Sequence, residues 1–305
     1  MRNFLNISDL SSGELRAILD EAKLRKSNRQ SLNKSAPDHD KPFEGKSMVM
    51  IFEKPSTRTR ISFDTGMYQL GGHSIYLSSN ELQLSRGESL EDTAKTMSRY
   101  VDLIMARVYD HKTLEILSEN ASVPVINGLS DSFHPCQILA DLMTIKEKKK
   151  KLKGLKIAWI GDGNNVCNSL IYGCAKSKIK ITIATPNGFE PDMNIVRKCK
   201  EYTDVTITNE PTLAVKDADI VMTDTFVSIH TKNPEQSRKF LPKFQVNSSL
   251  MKKAKNNALF MHCLPAKRTH EVSEDVIDGP QSIVWDQAEN RLHVQKALML
   301  ALLAI

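Results

Sequence analysis

What this 305-residue sequence lacks narrows its function before any motif is read. No apolar run approaches the ~18 residues that a membrane span requires, so nothing in the chain is expected to cross a bilayer. The five cysteines, Cys136, Cys167, Cys174, Cys199 and Cys263, form no CxxC pair. That argues against a structural zinc site and fits a reducing compartment, with the cytoplasm as the expected location. The N-terminal segment lacks a signal-type apolar stretch and carries Ser11 and Glu14 at capping-box spacing before a helical pattern, which reads as unexported protein. Aromatic residues are scarce, and none interleaves the densest basic run, KEKKKKLK at 146–153. That run therefore reads as a solvated helix end and not as a stacking platform for nucleic acid. The net charge of +6 does not by itself choose between nucleic acid, a membrane surface and a small anionic substrate.

The length suits two domains of about 150 residues each, and two domains imply a cleft between them. Strand-like runs recur between helix-like ones: KSMVMIF at 46–52, GHSIYL at 72–77, DLIMARV at 102–108, LKIAWIG, KITIATP, ADIVMTD, NALFMHCLP and SIVWDQ. Strands alternating with helices predict parallel sheets, hence an α/β fold of two doubly wound parallel-sheet domains with an active-site cleft between them. The lysine run and Gly154 precede a fresh apolar strand, which puts the boundary near 150. In such sheets ligands bind beyond the carboxyl ends of the strands, so informative residues should follow the apolar runs.

They do. After MVMIF comes EKPSTRTRISF, where Ser56, Thr57 and Thr59 can cap or donate and Arg58 and Arg60 add positive charge at a helix start. Helix dipoles favour acidic residues in a first turn, and two cations there point to an anion that completes the pattern. At 4 Å and an effective dielectric near 20, one Arg–phosphate charge contact is worth ~4 kcal/mol before desolvation. Several such contacts would hold a phosphate.

The run Ser-Thr-Arg-Thr-Arg at 56–60 resembles the carbamoyl phosphate loop of the aspartate and ornithine carbamoyltransferases. Further motifs of that family follow in order: MARVYDH with Arg107, FHPCQILADL with His134 and Gln137, FMHCLP with Cys263 and Leu264, and AENRLH with Arg291. The resemblance spans nearly the whole chain. It implies transfer of a carbamoyl group from carbamoyl phosphate to an amine, with no cofactor and no metal. It implies that Ser56, Thr57, Arg58, Thr59, Gln83, Arg107, His134, Gln137, Cys263, Leu264 and Arg291 bind carbamoyl phosphate, with Arg58, Arg107, His134, Gln137 and Cys263 catalytic. Residues 1–150 would then be the carbamoyl phosphate domain, 151–290 the acceptor domain and 291–305 a C-terminal helix packing back on the first. It also implies a homotrimer in which Gln83 reaches a neighbouring active site. Donors Thr59, Arg107 and His134 would stabilise charge growing on the carbonyl oxygen, as an oxyanion hole does.

Three places bear on the acceptor, and all resemble the ornithine-specific branch. HCLP has Cys263 where aspartate-specific members have proline. Segment 79–88 has Gln83 and Arg86 where those supply a lysine. TDTFVSI offers Asp224 and Ser228, with Ile229 and Asn165, for the acceptor's amino-acid end. A carboxylate at 224 suits a cationic amino acid and would repel aspartate. The expected acceptor is L-ornithine and the product citrulline, in arginine biosynthesis; N-acetylornithine, putrescine and aspartate are the alternatives. Phe226 stands where the family usually has Trp, Ser228-Ile229-His230 where it has Ser-Met-Gly, and Lys267 where histidine is common. A non-enzymatic nucleic-acid-binding protein, suggested only by the charge of +6 and the lysine run, is the weaker rival; the stronger is a nicotinamide-dependent dehydrogenase, suggested by Gly161-Asp162-Gly163 after LKIAWI. It lacks the third glycine, replaced by Val166, and the next strand ends in Thr185-Pro186 without an acidic residue for the ribose.

Overall fold

In a computed structural model, residues 3–83, 87–226 and 234–304 are described. The chain divides into two compact units, Met1–Met143 with Asn290–Ile305, and Thr144–Glu289.

The first unit contains β1 (Ser47–Phe52), β2 (His73–Ser78), β3 (Leu103–Arg107) and β4 (Val125–Leu129), all parallel in the order β2-β1-β3-β4. Every residue of β1 is buried, as expected of an inner parallel strand covered on both faces, while β2 lies at the edge and is partly exposed. The helices are α1 (Ser12–Asn28), α2 (Thr57–Gln69), α3 (Leu90–Met97), α4 (His111–Asn120) and α5 (Pro135–Lys149). At the start of α1 the expected capping box is present: Ser11 Oγ accepts from the Glu14 amide at 3.1 Å, and the Ser11 amide donates to Glu14 at 2.8 Å.

The second unit contains β5 (Lys156–Ile160), β6 (Lys180–Ala184), β7 (Val205–Thr208), β8 (Ile220–Thr223) and β9 (Leu259–His262), again all parallel, in the order β7-β6-β5-β8-β9. Around it lie α6 (Asn165–Ser177), α7 (Met193–Cys199), α8 (Pro211–Val215), α9 (Ser248–Met251) and α10 (Glu274–Ile277). The helix α11 (Val284–Leu303) starts in this unit and ends in the first. Among the described residues no helix is long and apolar enough to cross a membrane.

The strand expected at SIVWDQ is instead the start of α11. Ile283 donates one sheet-like bond to the Phe260 carbonyl at 3.0 Å, after which the chain turns helical with Asp286 in the favourable first turn. Two strands, β4 and β7, were not among the expected runs. Asn127 and Gly128 interrupt the first, and three of the four residues of the second are polar or half-exposed.

Candidate active site

In the first unit, α2 begins directly after β1. Ser56 is its N-cap, with Oγ accepting from the Thr59 amide at 3.3 Å, and the first turn holds no acidic residue. Thr59 is buried, Ser56 and Arg58 are half-buried, and Thr57 is exposed. Arg60 turns aside and stacks its guanidinium 3.8 Å from the Tyr76 ring centroid, so only one of the two loop arginines faces the site.

Arg107 ends β3 and His134 immediately precedes α5; both are buried. Four residues on α5, α11 and α2 form a chain of hydrogen bonds. Gln137 Nε2 donates to Asp141 Oδ1 at 2.8 Å, Arg291 Nη1 donates to Gln137 Oε1 at 2.8 Å, and Arg291 Nη2 donates to Thr59 Oγ1 at 3.3 Å. All four are almost fully buried. The His134 imidazole is held far below its usual pKa, first by burial and then by the neighbouring Arg291, Arg107 and Arg58 guanidiniums. Three cations thus converge on a neutral ring at the start of one helix, close to the start of a second, which is the charge pattern an anion satisfies.

Lys54 escaped the sequence reading. It is 3% exposed, its ammonium sits 3.9 Å over the Tyr109 ring, and burial and then Arg107 push its pKa down to about 8. Its place directly before the loop was the available signal. Gln83 is exposed, and its backbone carbonyl accepts from the Glu88 amide at 3.2 Å. Arg86 lies outside the described residues.

In the second unit the carboxyl ends of β5, β8 and β9 carry a separate cluster. Asp224, directly after β8, accepts from Asn164 Nδ2 at 2.8 Å and from Cys263 Sγ at 2.9 Å. Asn164 caps α6, and Asn165 is buried at its first position. No polar partner for Cys263 could be read from the sequence; here its thiol donates a hydrogen bond to the Asp224 carboxylate. Asp162, after β5, was missed as a site candidate. Burial, and then the neighbouring Asp224 charge, push its carboxyl up to about 6.

Leu264 has a positive φ of 58°, and its amide donates to His262 Nδ1 at 2.8 Å. That bond leaves the His262 proton on Nε2, which faces Glu271 Oε1 at 3.3 Å; the same oxygen accepts from the Lys267 amide at 2.6 Å. The donor atoms of Asp224, His262 and Cys263 lie within 4.8 Å of one another. Both His262 nitrogens are engaged in holding this loop, which makes the trio a hydrogen-bond set and not a ready metal site.

Phe226 is 3% exposed and stacks on Phe240 with centroids 4.5 Å apart, so the residue that departs from the family's Trp is packed into the core. Ser228, Ile229 and His230 lie outside the described residues. The glycines that suggested a nucleotide loop have packing roles: a Cβ on Gly163 would lie 2.2 Å from the Pro191 nitrogen, and one on Gly161 would press on Phe226.

Family models match both halves of the chain. The one described as "Aspartate/ornithine carbamoyltransferase, carbamoyl-P binding domain" covers residues 2–147, and the one described as "Aspartate/ornithine carbamoyltransferase, Asp/Orn binding domain" covers residues 153–302. Among similar proteins is the ornithine carbamoyltransferase of Cenarchaeum symbiosum, 58% identical over 99% of this chain and 98% of its own length. That of Methanocaldococcus jannaschii is 50% identical over 97% of each. The solved ornithine carbamoyltransferase of Pyrococcus furiosus superposes with a TM-score of 0.93 at 48% identity, covering 99% of this chain and 97% of that one.

Proposed function

Because the chain belongs to the aspartate/ornithine carbamoyltransferase family, we propose that it transfers the carbamoyl group of carbamoyl phosphate to the δ-amine of L-ornithine, yielding L-citrulline and phosphate. The observation that carries this is the convergence of Arg58, Arg107 and Arg291 on the neutral, buried His134 beside the start of α2.

In this reading Ser56, Thr57 and Arg58 hold the phosphate, which is also the leaving group. As the amine attacks, negative charge grows on the carbonyl oxygen, and Thr59, Arg107 and His134 donate to it. A neutral imidazole suits that task because it donates a hydrogen bond without giving up a proton. Gln137 orients the carbamoyl amide, Arg291 holds Gln137 and Thr59 in place, and Cys263 and Leu264 are assigned to the same substrate. Asp224 receives the α-ammonium of the acceptor, with Asn165 beside it in the role expected from the sequence; a carboxylate there disfavours aspartate. The δ-amine must lose a proton before it attacks, and a pocket of guanidinium groups lowers its pKa in that direction.

Several further assignments belong to the same proposal. The reaction runs toward citrulline in arginine biosynthesis, as the relative named anabolic in Pyrococcus furiosus does by its name. The enzyme works in the cytoplasm, a placement supported by five free thiols. It forms a trimer, supported by exposed Ile61 and Tyr68 on α2 and Ile75 on the edge strand β2, with exposed Gln83 available to a neighbouring chain.

The test is to incubate the purified protein with carbamoyl phosphate and, in parallel, L-ornithine, N-acetylornithine, putrescine, L-aspartate or buffer. Citrulline and phosphate are then quantified. Citrulline from ornithine alone supports the reading; turnover with another amine reassigns the acceptor and leaves carbamoyl transfer standing; absence of turnover with all four rejects it.

A further inference from the structure

We propose that Asp141 is a positioning residue for carbamoyl transfer: it fixes which end of the Gln137 amide faces Arg291 and so sets the hydrogen-bonding pattern offered to the carbamoyl group. The inference rests on the functional reading above and extends it to a residue outside the expected site set.

Asp141 lies one helical turn after Gln137 on α5, on the same face. It is 0% exposed, within a stretch from His134 to Ile145 in which every residue is buried. A glutamine amide has a donating end and an accepting end, and by shape alone the two are interchangeable. A carboxylate only accepts. Asp141 Oδ1 at 2.8 Å from Gln137 therefore requires the NH₂ end on its side, and the carbonyl end is turned to Arg291, which only donates and lies 2.8 Å away. Reversing the amide would set oxygen against carboxylate and NH₂ against guanidinium, so both contacts penalise the wrong orientation.

The constraint passes along the chain of bonds. Arg291 bridges Gln137 and Thr59, and the Thr59 amide is bound by the α2 cap Ser56, so one buried carboxylate is linked to the start of the phosphate loop. Each end of the Gln137 amide keeps one further capacity, an N–H and a lone pair. Those are the complements of the carbonyl oxygen and the NH₂ of a carbamoyl group. Asp141 touches no reacting atom in this scheme and acts through Gln137.

The test is a double-mutant cycle between Asp141→Asn and Gln137→Ala, read both as kcat/KM for carbamoyl phosphate and as equilibrium binding of carbamoyl phosphate without acceptor. Asparagine keeps the volume but can donate or accept, which removes the orienting demand. We expect Asp141→Asn to lower kcat/KM about 30-fold in the wild-type background and less than about threefold in the Gln137→Ala background, with the KM for ornithine unchanged. Equal losses in both backgrounds, or no loss in the first, overturn the proposal. Asp141→Ser serves as the second variant, and failure of both variants to fold would make Asp141 structural and overturn it too. The two readings fail separately. Carbamoyl phosphate binding with an additive cycle rejects the role of Asp141 alone, coupled binding without citrulline rejects the acceptor alone, and no binding to the wild type rejects both.

Discussion

Burial and three neighbouring guanidinium groups keep the His134 imidazole neutral well below the usual histidine range. In the proposed mechanism its contribution is then a single donated hydrogen bond, of the kind whose loss costs about 100-fold in kcat. His134→Ala should show a loss of that size in initial-rate measurements. The wild-type kcat profile between about pH 5.5 and 7.5 should carry no inflection from this residue. Asp162 makes the opposite case. Its folded carboxyl titrates at about 6, above the ordinary value of 3.8, so the stability that its proton brings is fully present below about 3.8 and is lost as pH rises through about 6. Asp162→Asn removes the buried charge. It should raise Tm by a few degrees at about pH 7.5, with the advantage growing between about pH 4 and 6 and vanishing below. A Tm difference independent of pH would contradict this. Neither environment was legible in the sequence: a histidine before Pro135 and an aspartate between two glycines do not disclose which charges fold against them.

At the scale of elements, α11 shows how much a helix can hide. Its apolar residues Val294, Leu298, Met299 and Leu300 are buried, but so are Asn290, Arg291, His293, Gln295 and Lys296. Lys296 is 0% exposed, with Nζ 2.7 Å from Asp38 and 3.0 Å from the Gln69 amide oxygen, and Asp38 is also bound by Arg25 and Arg29. Burial outweighs the carboxylate and lowers the Lys296 pKa to about 8. Lys296→Met removes one partner of a buried pair, a change that costs roughly 3–5 kcal/mol. Because Asp38 keeps two arginines, the expected loss lies at the lower end, about 3 kcal/mol by denaturant unfolding. The elements themselves were largely readable. The α1 capping box and the inner strands follow from local spacing and apolar runs. SIVWDQ was misread because three apolar residues suit a strand or a helix start equally; Gln281 and Ile283 pair with Phe260 as in a sheet, and the chain turns helical at Val284.

For the molecule as a whole, the first unit is completed by residues 290–305, far in sequence from the rest of it. Ending the chain after Glu289 would remove Val294, Leu298, Met299 and Leu300 from that unit's core. At about 1.5–3 kcal/mol for each large side chain, the loss of roughly 6–12 kcal/mol rivals the stability of a whole domain. The shortened chain should lose cooperative unfolding of the first unit, measured by calorimetry, and carbamoyl phosphate should no longer stabilise it. In the full chain, saturating carbamoyl phosphate at about 100 times its Kd should add about 2.7 kcal/mol of stability. The sequence alone carries the parallel α/β architecture and the capped, cationic start of α2, because period, apolar runs and a helix-start motif are local properties of neighbouring residues. It also determined the family, through the order of its motifs. What required the folded chain is that Arg291 meets Thr59 across 232 positions and Gln137 across 154, that Arg60 turns away to Tyr76, and that the Cys263 thiol donates to Asp224. Such contacts depend on how buried helices and strand ends pack, and hydrogen bonds have directions that spacing along a chain does not contain.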